Sequence, residues 1–130
     1  MSGRFLRYHL PPLLWAAALF VASSIPSDEL PPLVGRVWDK LLHAVAFGFL
    51  ALLVERSLRH QERWPSLRSR SISAAILIAA LYGVTDELHQ LVVPGRFSSI
   101  LDVAADTAGA VIALLPALVR RRVASPPRNR

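Results

Sequence analysis

The chain has 130 residues, enough for one domain. It is 53% apolar and 18% charged, with a mean hydropathy of +0.41; a soluble domain averages about 45–50% apolar and about 25% charged, so the excess points to lipid. Fifteen Lys and Arg against nine Asp and Glu give a net charge of +6, and the absence of cysteine excludes a disulfide framework, a thiolate zinc site and a cysteine nucleophile.

Four stretches are apolar over the roughly 17–25 residues that a helix needs to cross a hydrocarbon core about 30 Å thick. They cover residues 6–24, 37–54, 72–93 and 100–119. The first carries Pro11 and Pro12 near its start, where proline is tolerated in the opening helical turn. It also resembles a secretory signal, with Arg4 and Arg7 before the apolar run and Ala22-Ser23-Ser24 as small residues for cleavage. Ile25-Pro26 follows closely, and the expectation is an uncleaved first span. Ser27-Asp28-Glu29-Leu30-Pro31-Pro32 makes a turn-rich connector and the segment from Arg59 to Ser71 a polar, basic one. Pro94-Gly95-Arg96-Phe97-Ser98-Ser99 is so short that the last two spans must form a tight hairpin. Residues 120–130 read as a basic tail, disordered from Ser125 on, and the whole chain as a single transmembrane domain.

With four spans, the N-terminus, the second connector and the C-terminus share one side. That side holds Arg4, Arg7, Arg56, Arg59, Arg63, Arg68, Arg70, Arg120, Arg121, Arg122, Arg128 and Arg130, against Arg36, Lys40 and Arg96 on the other. Cytoplasmic flanks collect Lys and Arg, so both termini are expected in the cytoplasm of a multi-pass inner-membrane protein. Arg120-Arg121-Arg122 is then a lipid-headgroup anchor, and nucleic acid is not an expected partner.

The acids are arranged the other way. Asp28, Glu29, Asp39, Asp86, Glu87, Asp102 and Asp106 fall in the outer half, and only Glu55 and Glu62 inward. An ionisable group in hydrocarbon costs at least about 2.5–3.5 kcal/mol on insertion scales, so such residues face a bundle interior or water. Asp39 and His43 lie four apart on one helical face, as do Asp102 and Asp106, while Asp86, His89 and Gln90 share a face of the third span. Glu87 is about 100° round the helix from Asp86 and points to headgroups or a neighbouring span. Arg96 hangs above the cluster from the hairpin loop. The candidates for acid–base chemistry are Asp39, His43, Asp86, Asp102 and Asp106; for a divalent metal Asp86, Asp102 and Asp106; for an anionic headgroup Arg96, Lys40 and Gln90. Lys40 also suits an interfacial snorkel, with Tyr8, Trp38 and Trp64 in the aromatic belts. Ala105, Gly109 and Ala113 repeat every four residues, a pattern for close helix packing.

Asp39-Lys40-Leu41-Leu42-His43, Asp86-Glu87-Leu88-His89-Gln90, Pro94-Gly95-Arg96 and the run Asp102-Val103-Ala104-Ala105-Asp106-Thr107-Ala108-Gly109 together resemble the VanZ-like membrane proteins, and the Ser24-Ile25-Pro26 turn is similar too. The resemblance spans about residues 13–115. Where the family often has an asparagine, this sequence has Asp106. The resemblance implies an all-α bundle of about four transmembrane helices in a bacterial cell envelope, and an association with resistance to the glycopeptide antibiotic teicoplanin. Three functions compete: an outer-leaflet site for an anionic lipid-linked or glycolipid headgroup, a non-catalytic scaffold for envelope enzymes, and a proton- or ion-coupled transporter. Against the last, residues 49–54, 72–81 and 111–119 hold no ionisable group. No serine-nucleophile motif, HExxH or P-loop is present, which leaves enzymatic activity open.

Overall fold

A computed structural model describes residues 3–26 and 36–124. Asp28, Glu29 and the tail from Ser125 lie outside the described residues. The described chain is entirely helical: α1 (Leu10–Ser23), α2 (Arg36–His60), the short α3 (Pro65–Ser69), α4 (Ser71–Gln90) and α5 (Ile100–Ala124), with a π-helical turn at Phe5–His9 leading into α1. Four helices are long and apolar enough to cross a membrane: Phe5–Ser23, Trp38–His60, Ser71–Gln90 and Ile100–Val123.

The boundaries depart from the expected ones for local reasons. Pro11 and Pro12 occupy the second and third positions of α1. Proline lacks an N–H and crowds the carbonyl four residues back, and the wider π turn before it relieves that crowding. The second span continues six residues beyond Val54 to His60, because Glu55 finds partners inside the bundle. The third ends at Gln90, and residues 91–93 belong to the turn. In the fourth, Arg120, Arg121 and Arg122 are helical and not part of a tail: α5 runs on to Ala124.

The spans run alternately up and down, α2 and α5 parallel to each other and antiparallel to α1 and α4. The α2–α5 pair forms the largest interface. Its backbones meet at residues with no bulk: a Cβ on Gly109 would fall on the Ala44 carbonyl, and one on Gly48 would lie 2.9 Å from the Gly109 carbonyl oxygen and 3.3 Å from Ala113 Cβ. In lipid, where apolar faces gain little by leaving the solvent, such close approach is the main source of helix adhesion. Ala51, Ile72, Ala75, Ala79, Ala110 and Leu114 continue the packed centre toward the other end of the bundle. Leu13, Leu14, Leu41, Val45, Leu77, Leu81 and Ile112 stay exposed around the outside, as a lipid-facing surface requires.

Helix α1 sits at the edge and is held by polar stitches. Trp15 Nε1 donates to the Ala46 carbonyl at 2.9 Å, the Tyr82 hydroxyl to the Ala16 carbonyl at 2.6 Å, and His9 meets the Ser57 hydroxyl at 2.7 Å. Before it, Arg4 pairs with Glu62 at the exposed surface. That pairing holds the Glu62 carboxyl below its usual range, so its small, solvent-screened contribution is present at neutral pH and fades as acidification protonates Glu62.

Replacing Gly109 with valine drives a branched side chain into the Ala44 backbone. The expected destabilisation is about 1–3 kcal/mol or more, read as a lowered unfolding midpoint in detergent; an unchanged midpoint would contradict the close α2–α5 contact.

Candidate functional site

The close α2–α5 packing sets these two helices in a fixed register, and their first turns arrive together. Asp39 and Asp102 each occupy a first turn, where the positive end of the helix dipole favours a carboxylate. One residue and one turn further on, the two helices are bridged twice. Lys40 pairs with Asp102, and His43 Nδ1 lies 2.9 Å from Asp106 Oδ1. Asp102 is 5% exposed and Asp106 fully buried. Room for the Asp106 carboxylate comes from α4: a Cβ at Gly83 would stand 2.6 Å from Asp106 Oδ2. That oxygen is buried and has no hydrogen bond among the described residues.

The last turns of α4 bring three more groups. Gln90 Nε2 donates to Asp86 Oδ2 at 3.1 Å within the buried face. Glu87, 4% exposed, turns toward the hairpin and not to lipid: its Oε2 accepts the Ser99 N–H at 2.6 Å, just before α5 begins, where a carboxylate suits the helix N-terminus. Its other oxygen, Oε1, is buried with no partner among the described residues. The Ser98 hydroxyl also interacts with this carboxylate. His89, expected beside Asp86 and Gln90, instead meets the Ser24 hydroxyl at 2.9 Å and packs on Phe20, joining α4 to α1.

Arg96 is placed by the turn. Its N–H bonds the Val93 carbonyl at 3.2 Å, with Pro94 and Gly95 as central residues and Gly95 at φ 72°, the left-handed conformation that glycine accepts without strain. The arginine then lines a cavity of ≈190 Å³ together with Asp39, His43, Asp86, Gln90 and Ser23, floored by Phe47 and Leu42. Its Nε is buried without a hydrogen bond among the described residues.

The structure thus gathers Asp39, His43, Asp86, Gln90 and Arg96 around one cavity, with Lys40, Asp102 and Asp106 in the layer between α2 and α5. Lys40 is an ion-pair partner of Asp102 and not a free interfacial snorkel. The expected metal set of Asp86, Asp102 and Asp106 is divided. Among the described residues, Asp39, His43 and Asp102 can offer ligand atoms within 4.8 Å of one another, and so can His43, Asp86 and Glu87; Asp106 stands behind His43 in both cases.

Sequence reasoning left Glu87 undecided, because the Ser99 N–H that it accepts is brought back only by the hairpin. It also overlooked a buried group at the opposite end. Glu55, 5% exposed, accepts from the Ser71 hydroxyl and from Arg121 Nη2, both at 3.0 Å. The available signal was the position of Glu55, Ser71 and Arg121 at the same ends of three spans.

A four-helix membrane protein with a charged cavity under one end is the class that this fold and site define. The family model described as VanZ/LLP1 matches residues 4–121. The chain belongs to the VanZ/LLP1 family, and the match extends the resemblance of the four motifs to nearly its whole length. No curated protein and no solved structure matches the chain.

A double-mutant cycle on Lys40→Met and Asp102→Leu measures how strongly the pair is desolvated. Exposed pairs couple by about 0.2–1 kcal/mol; this one, with Asp102 buried, is expected to exceed 1 kcal/mol in detergent unfolding, and a smaller coupling would mean that water reaches it.

Proposed function

We propose that this protein sits in the inner membrane with both termini in the cytoplasm, and that its acid-lined end binds the anionic headgroup of a lipid-linked or glycolipid molecule at the outer leaflet. Arg96 carries the reading. It lines the cavity with a buried Nε that has no acceptor among the described residues, and a guanidinium is the side chain best shaped to hold a phosphate or carboxylate by paired hydrogen bonds. Gln90, at the same cavity, adds an amide. A volume of ≈190 Å³ is below the roughly 300–1,000 Å³ of pockets that enclose drug-sized ligands, so it suits a headgroup whose chain stays in the bilayer. Lys40, already neutralised by Asp102, contributes to the field and not as a free cation. The proposed orientation rests on the arginine distribution. A part in teicoplanin resistance is carried by the family resemblance and fits an envelope-facing site.

A scaffold role is favoured by one observation: the Lys40–Asp102, His43–Asp106 and Gln90–Asp86 contacts are made inside the protein. It leaves the orphaned atoms of Arg96 and Glu87 without a purpose. Transport is disfavoured by the apolar plug of Ala51, Ala75, Ala79, Ala110 and Leu114 between the two polar ends.

The test uses the full chain in phosphatidylcholine nanodiscs containing a fluorescent polyprenyl phosphate. Arg96→Gln is expected to weaken its binding about tenfold, the loss of roughly 1.4 kcal/mol, whereas Arg68→Gln on the opposite end leaves it unchanged. Equal binding by wild type and Arg96→Gln would overturn the assignment.

A further inference from the structure

We propose that His43, Asp86 and Glu87 bind a divalent cation of the Mn²⁺ or Zn²⁺ type, with Asp106 as the carboxylate that orients the histidine. The three donors come from the facing sides of α2 and α4, and their ligand atoms lie within 4.8 Å of one another. Clustered acids alone would not make a site. Two further observations point to a bound ion.

The first is Glu87. It is 4% exposed, one oxygen is satisfied by the Ser99 N–H, and the other, Oε1, is buried without a hydrogen bond among the described residues. A charged carboxylate oxygen buried among other carboxylates is costly unless something positive meets it. The second is the imidazole. Nδ1 faces Asp106 Oδ1 at 2.9 Å. With the proton on Nδ1 and shared with that carboxylate, the lone pair is on Nε2, and the carboxylate behind fixes the ring's tautomer and orientation. Ligating histidines are characteristically held in this way. Asp106 is fully buried and is not among the residues that line the cavity beside Arg96, so this role accounts for it.

Charge balance supports the same conclusion. Among the described residues, Asp39, Asp86, Glu87, Asp102 and Asp106 gather with Lys40 and Arg96 as the permanent cations of the cavity and its adjoining layer, and Lys40 is taken up by Asp102. An anion entering beside Arg96 would meet an excess of negative charge; a divalent ion next to it reverses that field. The donor set of one imidazole and two carboxylates suits first-row ions that accept both nitrogen and oxygen, in preference to Ca²⁺, which prefers an all-oxygen shell. Cation binding does not require the headgroup reading, but where both hold, the ion bridges the acids to the bound anion.

The experiment titrates Mn²⁺ alone into the full chain in pure phosphatidylcholine nanodiscs, with no anionic lipid present, and follows the loss of the free-ion EPR spectrum. Wild type should take up one Mn²⁺ per chain, displaced by Zn²⁺. His43→Gln and Glu87→Gln should each weaken uptake at least about tenfold and Asp106→Asn about 10–100-fold, with helicity and monodispersity unchanged. Arg96→Gln should keep or strengthen it, which separates this result from the headgroup assay, where the same variant loses binding. No uptake above empty nanodiscs, or uptake unaffected by both His43→Gln and Glu87→Gln, would overturn the proposal. A loss confined to Asp39→Asn would overturn the assignment to Glu87 by moving the ion to the Asp39–His43–Asp102 group.

Discussion

The contact on which the rest depends is the approach of α2 and α5 at Gly109 and Ala44. Because no side chain separates the backbones there, the two parallel helices lock in one register, and every cross-helix pairing near their starts follows from it. Lys40 meets Asp102 and His43 meets Asp106 at sequence separations of 62 and 63. A larger residue at 109 would push the helices apart and break both bridges together. Small residues here do what a hydrophobic core does in water, because in lipid close packing is the main reward for helix association.

That register gathers charge where lipid would otherwise forbid it. The acids of α2, α4 and α5 are tolerated because each has a nearby compensation: a lysine, an imidazole, an amide, a backbone N–H, and the positive ends of α2 and α5. Apolar residues would hold four helices together at lower desolvation cost, so the persistence of so many charged groups in one layer argues for a task at that end. Of the three buried atoms left without a partner among the described residues, on Arg96, Glu87 and Asp106, the first two mark where, on the proposed readings, an anion and a cation would each be accepted. The opposite end shows the contrast. Glu55, Ser71 and Arg121 satisfy one another closely, as a purely structural polar cluster does, and an apolar plug separates the two.

Helix α1 depends on the others more than they on it. It touches the bundle through Trp15, Tyr82 and the Ser24–His89 contact, and one wall of the cavity is its last turn, at Ala22 and Ser23. On the proposed headgroup reading, a peripheral helix held by a few hydrogen bonds, closing the cavity on one side, is where a headgroup whose tail remains in the membrane would enter.

The number and rough extent of the spans were legible in the sequence, because a bilayer imposes a length and a composition on any helix that crosses it. So was the separation of basic from acidic ends, and the i, i+4 spacing that puts Asp39 with His43 and Asp102 with Asp106 on one face each. The sequence also carried the family, through motifs whose order and spacing need no structure. Helix ends were less legible: Glu55 extends α2 only because Ser71 and Arg121 come to meet it, and the arginines past Val119 continue α5. Only the tertiary structure decided which charges pair, that Lys40 belongs to Asp102, that Glu87 turns to Ser99 and that His89 leaves the cluster for α1. Periodicity tells which residues share a face of one helix; which face meets which is settled by backbone contact between helices distant in sequence, here by the space at Gly109 and Gly83.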